Sequence, residues 1–92
     1  MTIPYTSTYC NNTTASNAQR IDAGPVTVWY SYRTAVAIQI DDGPIVVRKN
    51  EWGPTTGKHL NAIDGGDKST RVDAAKFSEW YLLASARLEA SP

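Results

Sequence analysis

His59 is the only histidine in the chain and Cys10 the only cysteine, so a serine- or cysteine-type nucleophile and base pair has a single base to draw on. The two lie far apart in sequence, and nothing in their spacing brings them together. A lone histidine in a short helix reads as a capping or surface residue before it reads as a general base. Asp41 and Asp42 are adjacent, which suits a turn that aspartate side chains close on their own backbone better than paired acid and base work. One histidine and scattered carboxylates offer no ligand spacing for a metal. Thr55-Thr56-Gly57-Lys58 inverts a phosphate-binding loop, in which Gly-Lys precedes the hydroxyl residue. What remains there is a helix start with hydroxyls and a nearby lysine, a weak anion contact. The residues therefore predict a protein without catalysis and without a cofactor.

The cations are placed more tellingly. Arg33 falls at a bend, Arg48-Lys49-Asn50 at a strand end, Lys58-His59 in a short helix, and Lys68 and Arg71 before the last helix. In an antiparallel meander the bend at Arg33 and the strand end at Arg48-Lys49 lie at the same edge, so they form one basic surface suited to phosphates. The same residues also do what Lys and Arg do in most small domains, solvating a sheet and blunting its edge. Composition alone leaves these two readings level.

The elements that must position these residues follow from periodicity. Val26 to Tyr32 alternates Val26, Val28, Tyr30 and Tyr32 against Thr27, Trp29 and Ser31, the period of a strand. Thr34 to Asp41 repeats the pattern with Val36, Ile38 and Ile40 on one face and Ala35, Ala37 and Gln39 on the other, after a tight bend near Arg33. Asp41-Asp42-Gly43-Pro44 is turn chemistry, with Asp-Gly accepting positive φ, and Ile45 to Lys49 is a third strand. Thr55 to Ile63 predicts a short helix capped by Thr55 or Thr56, of about two turns because Gly57 weakens it. Asp64 to Asp67 reads as an exposed loop. Asp73 caps the strongest helix, running to Glu89, with Phe77, Trp80, Tyr81, Ala84 and Leu88 as its apolar stripe. The Thr-, Ser- and Asn-rich stretch 6–17 predicts loop, and Ser16 to Ile21 one helical turn, closed by Gly24-Pro25. The fold class is α+β: a small antiparallel meander of about three to four strands packed by one C-terminal amphipathic helix, with a short helix near 55–63. Its parts are a loop-rich segment 1–25, a sheet over 26–50, and helices over 55–63 and 73–89.

Ninety-two residues make one domain. With 41% apolar and 20% charged residues the chain is an ordinary globular one, unlike a disordered segment. Nine basic residues against nine acidic ones remove the whole-molecule positive field of a general nucleic-acid binder. A single cysteine excludes an internal disulfide and points to a reducing compartment. No secretory leader or spanning segment is expected, which places the protein in the cytosol, away from membranes.

Three pieces in order, Trp29-Tyr30-Ser31-Tyr32-Arg33-Thr34-Ala35-Val36-Ala37, Val47-Arg48-Lys49-Asn50-Glu51-Trp52 and Thr55-Thr56-Gly57-Lys58-His59-Leu60-Asn61, resemble a family of small proteins encoded by phages and other mobile elements. The block covers residues 26–64. Where members carry Thr-Pro-Val-Ala after the Ser-Tyr pair, this chain has Thr34-Ala35-Val36-Ala37. The whole chain, with its segment Tyr5 to Asn17, is similar to the type I-F anti-CRISPR proteins. That resemblance implies a phage inhibitor acting in the bacterial cytoplasm, which binds subunits of the RNA-guided surveillance complex and stops target DNA from pairing with the guide. It implies partner or guide-RNA contacts by Arg33, Arg48, Lys49, Asn50, Lys58, His59 and Arg71, and no small-molecule substrate. Because such complexes grip nucleic acid with a basic channel, it also implies phosphate mimicry by Asp41, Asp42, Asp64 and Asp67, with Glu51 beside them. The alternative is a small phage nucleic-acid-binding or general interaction protein, using the basic edge and the aromatics Tyr32 and Trp52.

Overall fold

The computed structural model describes residues 5–9 and 17–90, and Cys10 lies outside them. Among the described residues, five strands run as one antiparallel meander in chain order: β1 (Tyr5–Thr8), β2 (Ala18–Ala23), β3 (Val26–Ser31), β4 (Thr34–Ile40) and β5 (Val46–Val47). Helix α1 (Pro54–Asp64), a 3-10 turn over Lys68–Thr70 and helix α2 (Ala74–Ala90) follow. The α+β meander read from the sequence is present, extended by two strands at its N-terminal side.

β1 corrects the loop expected over 6–17 at residues 6–8, and β2 corrects the helical turn expected at Ser16 to Ile21 from Ala18 onward; residues 10–16 of these expectations lie outside the described residues. Residues 18–23 pair along their whole length with β3, and Gly24 (φ 65°) makes the connecting turn. Cross-strand partners hold β2 where an apolar alternation is lacking. Arg20, opposite Trp29, lays its guanidinium 5.2 Å from the indole centroid, and Asp22, opposite Thr27, accepts that hydroxyl at 2.7 Å. The Thr27 hydrogen bond holds the Asp22 carboxyl below its usual range against the opposing pull of burial, with Arg20 helping.

Helices cover both faces of the sheet, where one covering helix was expected. Val26, Ile38 and Val46 pack with Phe77 and Ala84 of α2, flanked by Val28, Ile40 and Trp80. Trp29, Val36, Ala37 and Val47 pack on the other face with Leu60 of α1, flanked by Tyr9 and Ile63. The predicted faces of β4 are corrected at Val36. The register slips so that Trp29 opposes Ala37 while Tyr30 opposes Ala35, leaving Val36 as the extra residue of a bulge. Val36 and Ala37 thus both serve the α1 face, and Ala35 joins the α2 face.

The β4–β5 turn puts positive φ on Asp41 (50°) and Asp42 (60°), not on Gly43. The Gly43 N–H bonds the Ile40 carbonyl at 2.9 Å across them, and a Cβ at Gly43 would come 3.0 Å from that same oxygen. Gly43 is needed for space, and the aspartates take the left-handed backbone that Asp tolerates. Helix α1 is capped by Gly53 with Pro54 in its first turn, correcting the expected Thr55 or Thr56 cap. It spans 11 residues and ends at Gly65 (φ 70°). Asp73 does cap α2, accepting from the Lys76 N–H at 2.8 Å. Its apolar stripe meets the sheet through Phe77, Ala84 and Trp80, while Tyr81 and Leu88 are exposed. Between the helices the chain returns to the sheet edge: Lys49 N–H bonds Val72 O and Val72 N–H bonds Val47 O, each at 2.8 Å, forming a parallel bridge.

Candidate functional site

His59 does meet a nucleophile-type residue, one that sequence spacing did not suggest. Thr56, His59 and Leu60 recur at the helical spacing i, i+3, i+4 and turn one face of α1 onto β3. There the Ser31 hydroxyl hydrogen-bonds His59 Nδ1 at 2.7 Å and Thr56 Oγ1 at 3.0 Å. Tyr9 and Tyr32 enclose the imidazole with ring centroids at 6.2 and 5.9 Å. Ser31 is 2% exposed and His59 0%, so no substrate atom reaches the pair. The reading of His59 as a surface residue and partner contact is corrected: its polar atoms are hydrogen-bonded inside the α1 face, as burial in a low-dielectric interior demands. Tyr32 holds φ 56°, uncommon for a bulky side chain, at the bend after β3, where its N–H bonds the Asn17 carbonyl at 2.7 Å.

Arg71 and Asp64 are likewise corrected. Their side chains are 3% and 10% exposed and join through Nε to Oδ2 at 2.8 Å and Nη2 to Oδ1 at 3.0 Å, while Nη2 also bonds Asn61 Oδ1 at 2.9 Å. Burial pushes the Asp64 carboxyl up, but the Arg71 hydrogen bonds, the Gly66 N–H and the Arg71 charge together hold it below its ordinary value. Asp64 raises Arg71 in return. This pair ties the end of α1 to the segment entering α2, and it is closed to a partner. Asp41 accepts from Arg87 Nε at 2.9 Å, so it is already neutralised on the surface, and Asp67 accepts from Ser69. Asp42 is exposed at the turn.

Of the remaining cations expected at the site, Arg33, Lys49, Lys58 and Lys68 are exposed and Arg48 is half-buried, and four of them, all but Lys58, border one of two hollows. Lys49, Asn50, Gly57, Asn61, Lys68 and Arg71 line a groove of about 420 Å³ beside α1. Its floor is fixed: Lys49 is anchored through its N–H to Val72, and Asn50 shapes the turn into α1 by accepting from the Trp52 N–H at 3.0 Å and donating to the Gly53 carbonyl at 3.3 Å. A Cβ on Gly57 would come 3.1 Å from Asn50 Nδ2, so the glycine lets this turn lie against the helix. Lys49, Lys68 and the neighbouring Lys58 are exposed and make no ion pair among the described residues. Trp52, 41% exposed, stands nearby with the Arg48 guanidinium 4.7 Å from its ring centroid. Arg33 and Arg48 instead border a second hollow against α2. The single basic surface expected at the sheet edge is therefore two, because Arg48 and Lys49, as neighbours in extended chain, face opposite ways. Among the described residues no group of three or more His, Cys, Asp or Glu is placed to hold a metal, and no helix is long and apolar enough to cross a membrane.

The whole lysine groove lies inside the stretch that identifies the chain's relatives. The chain belongs to DUF8033, a family of unknown function, which it matches over residues 3–79. No curated protein and no solved structure matches it. The DUF8033 match takes in both halves of the Arg71–Asp64 pair and the buried Ser31–His59 network, and it ends within α2, before Tyr81 and Leu82.

Proposed function

We propose that this DUF8033 protein is a non-catalytic binding protein of phage origin that docks on the type I-F RNA-guided surveillance complex in the bacterial cytoplasm and keeps target DNA from pairing with the guide. The observation that carries the reading is the groove beside α1, which Lys49 and Lys68 line without an ion pair among the described residues, on a fixed floor. Two lysines that line one groove and make no ion pair among the described residues suit a phosphate backbone, which such a complex displays in its guide. Asn50 adds an amide at the same rim, and Trp52 a stacking surface. The inhibitor acts by occupancy, one copy per site, since its Ser31–His59 pair is out of reach of substrate.

The test is binding of wild type and of Lys49→Glu/Lys68→Glu to purified type I-F surveillance complex, followed by loading of complementary DNA. The expected result is tight, salt-sensitive binding by wild type that blocks loading, and a variant that binds weakly and lets DNA load. Equal binding and equal protection by the two proteins would refute this use of the groove. Free single-stranded RNA bound as tightly as the assembled complex would instead identify a plain nucleic-acid binder.

A further inference from the structure

The hollow bordered by Arg33 and Arg48 has a different chemistry from the lysine groove. It is larger, about 590 Å³, and runs between the β3–β4 end of the sheet and α2. Its walls are Tyr30, Phe77 and Tyr81, and Leu82 stands at its lip 70% exposed, with Leu83 beside it at 57%. Its cations are both arginines. Arg33 is exposed and makes no ion pair among the described residues. Arg48 reaches Glu51 only at 3.6 Å, and its Nε is buried without an acceptor. Burial pushes the Tyr30 phenol up, with the adjacent Tyr81 adding to it, so the hydroxyl remains a donor.

We propose that this cleft is a second docking surface, one that takes a segment of a partner protein carrying an aromatic or leucine anchor flanked by aspartate or glutamate. The choice of occupant rests on charge and apolar complementarity. Guanidinium forks pair bidentately with carboxylates. Tyr and Arg are enriched at the cores of protein interfaces, and the exposed Leu82 at the lip of an apolar hollow offers a contact to an apolar side chain that a phosphate backbone does not supply. The inference stands on this cleft alone and does not need the lysine groove to bind the guide.

Selection of short random peptides on the immobilised full chain tests it, with the strongest peptide then synthesised, labelled and titrated. The expected result is enrichment of sequences that place Asp or Glu beside Phe, Trp or Leu. The chosen peptide should bind about tenfold or more weakly to Arg33→Glu and, separately, to Leu82→Asp, and undiminished to Lys49→Glu/Lys68→Glu. Both substituted side chains are exposed, and an unchanged melting midpoint in either variant validates the comparison. Failure of any sequence to enrich, enrichment of basic peptides, or full binding to the folded cleft variants overturns the proposal. Binding of a uridine oligonucleotide that is lost in Arg33→Glu overturns it too, in favour of nucleic acid at the cleft. Because the peptide experiment contains no surveillance complex, its failure is distinct from failure of the inhibitor reading.

Discussion

The two faces of the sheet are sealed by different chemistry. Against α2 the cluster is apolar throughout, Val26, Ile38 and Val46 meeting Phe77 and Ala84. Against α1 a comparable apolar cluster around Trp29 and Leu60 adjoins a buried polar set, Ser31, Thr56 and His59. An apolar face fixes a helix by area and is forgiving of its exact rotation, because dispersion and hydration are non-directional. A buried hydrogen-bonded set is unforgiving: it fixes the helix at one register or leaves polar groups unmet. The helix held in this stricter way is the one that carries Gly57 and Asn61 to the lysine groove.

The largest expected effect falls on the apolar face. Phe77→Ala removes a ring that is 4% exposed and should cost about 3–5 kcal/mol, read from chemical denaturation. Trp80, only partly buried beside it, should cost less, and the reverse order would show that α2 is rotated from the position described. On the polar face, Ser31→Ala strands the Nδ1 of His59 and the Thr56 hydroxyl and should cost about 1–3 kcal/mol. A Ser31→Ala/His59→Ala double-mutant cycle should return a coupling of about 0.5–3 kcal/mol, and additive losses would mean that the pair does not act as a unit.

Acid provides a graded test of the Arg71–Asp64 clasp. The folded Asp64 carboxyl lies below the ordinary aspartate value, so its contribution to stability is present above that value and fades as pH falls through the folded value. Stability should therefore drop below about pH 4 with a component that Asp64→Asn abolishes. An unchanged acid limb in the variant would refute the pair's contribution. The smallest effect belongs to the groove: Lys49→Glu/Lys68→Glu should shift stability by under about 0.5 kcal/mol per site while weakening binding, separating function from folding.

Strands β3 and β4 and helix α2 were legible because their apolar residues repeat with the period of their element. Strand β2 was not: Ala18-Gln19-Arg20-Ile21-Asp22-Ala23 shows no clean alternation of polarity, and it is held by partners on β3 that only register supplies. The bulge at Val36 was hidden because Ala35, Val36 and Ala37 are all small and apolar, so a slip costs the pattern nothing visible. At the site, the exposure of Arg33, Lys49 and Asn50 was legible from their place at bends and strand ends. His59, Asp64 and Arg71 were not, since each finds its partner through chain folding. A signal for His59 did exist, in the helical spacing of Thr56, His59 and Leu60.

The parallel bridge between Arg48 and Val72 also governs how the molecule opens. Two amides, of Lys49 and Val72, join the sheet edge to the chain between helices that lie on opposite faces, two residues before α2 begins. Neither helix can leave the sheet far without straining that rung, so the two should detach together. Amide hydrogen exchange would then see one cooperative unit in place of two independent flaps, with Lys49 and Val72 exchanging at the rate of the slower helix. A lysine whose own backbone is that rung stays put as long as the molecule is folded.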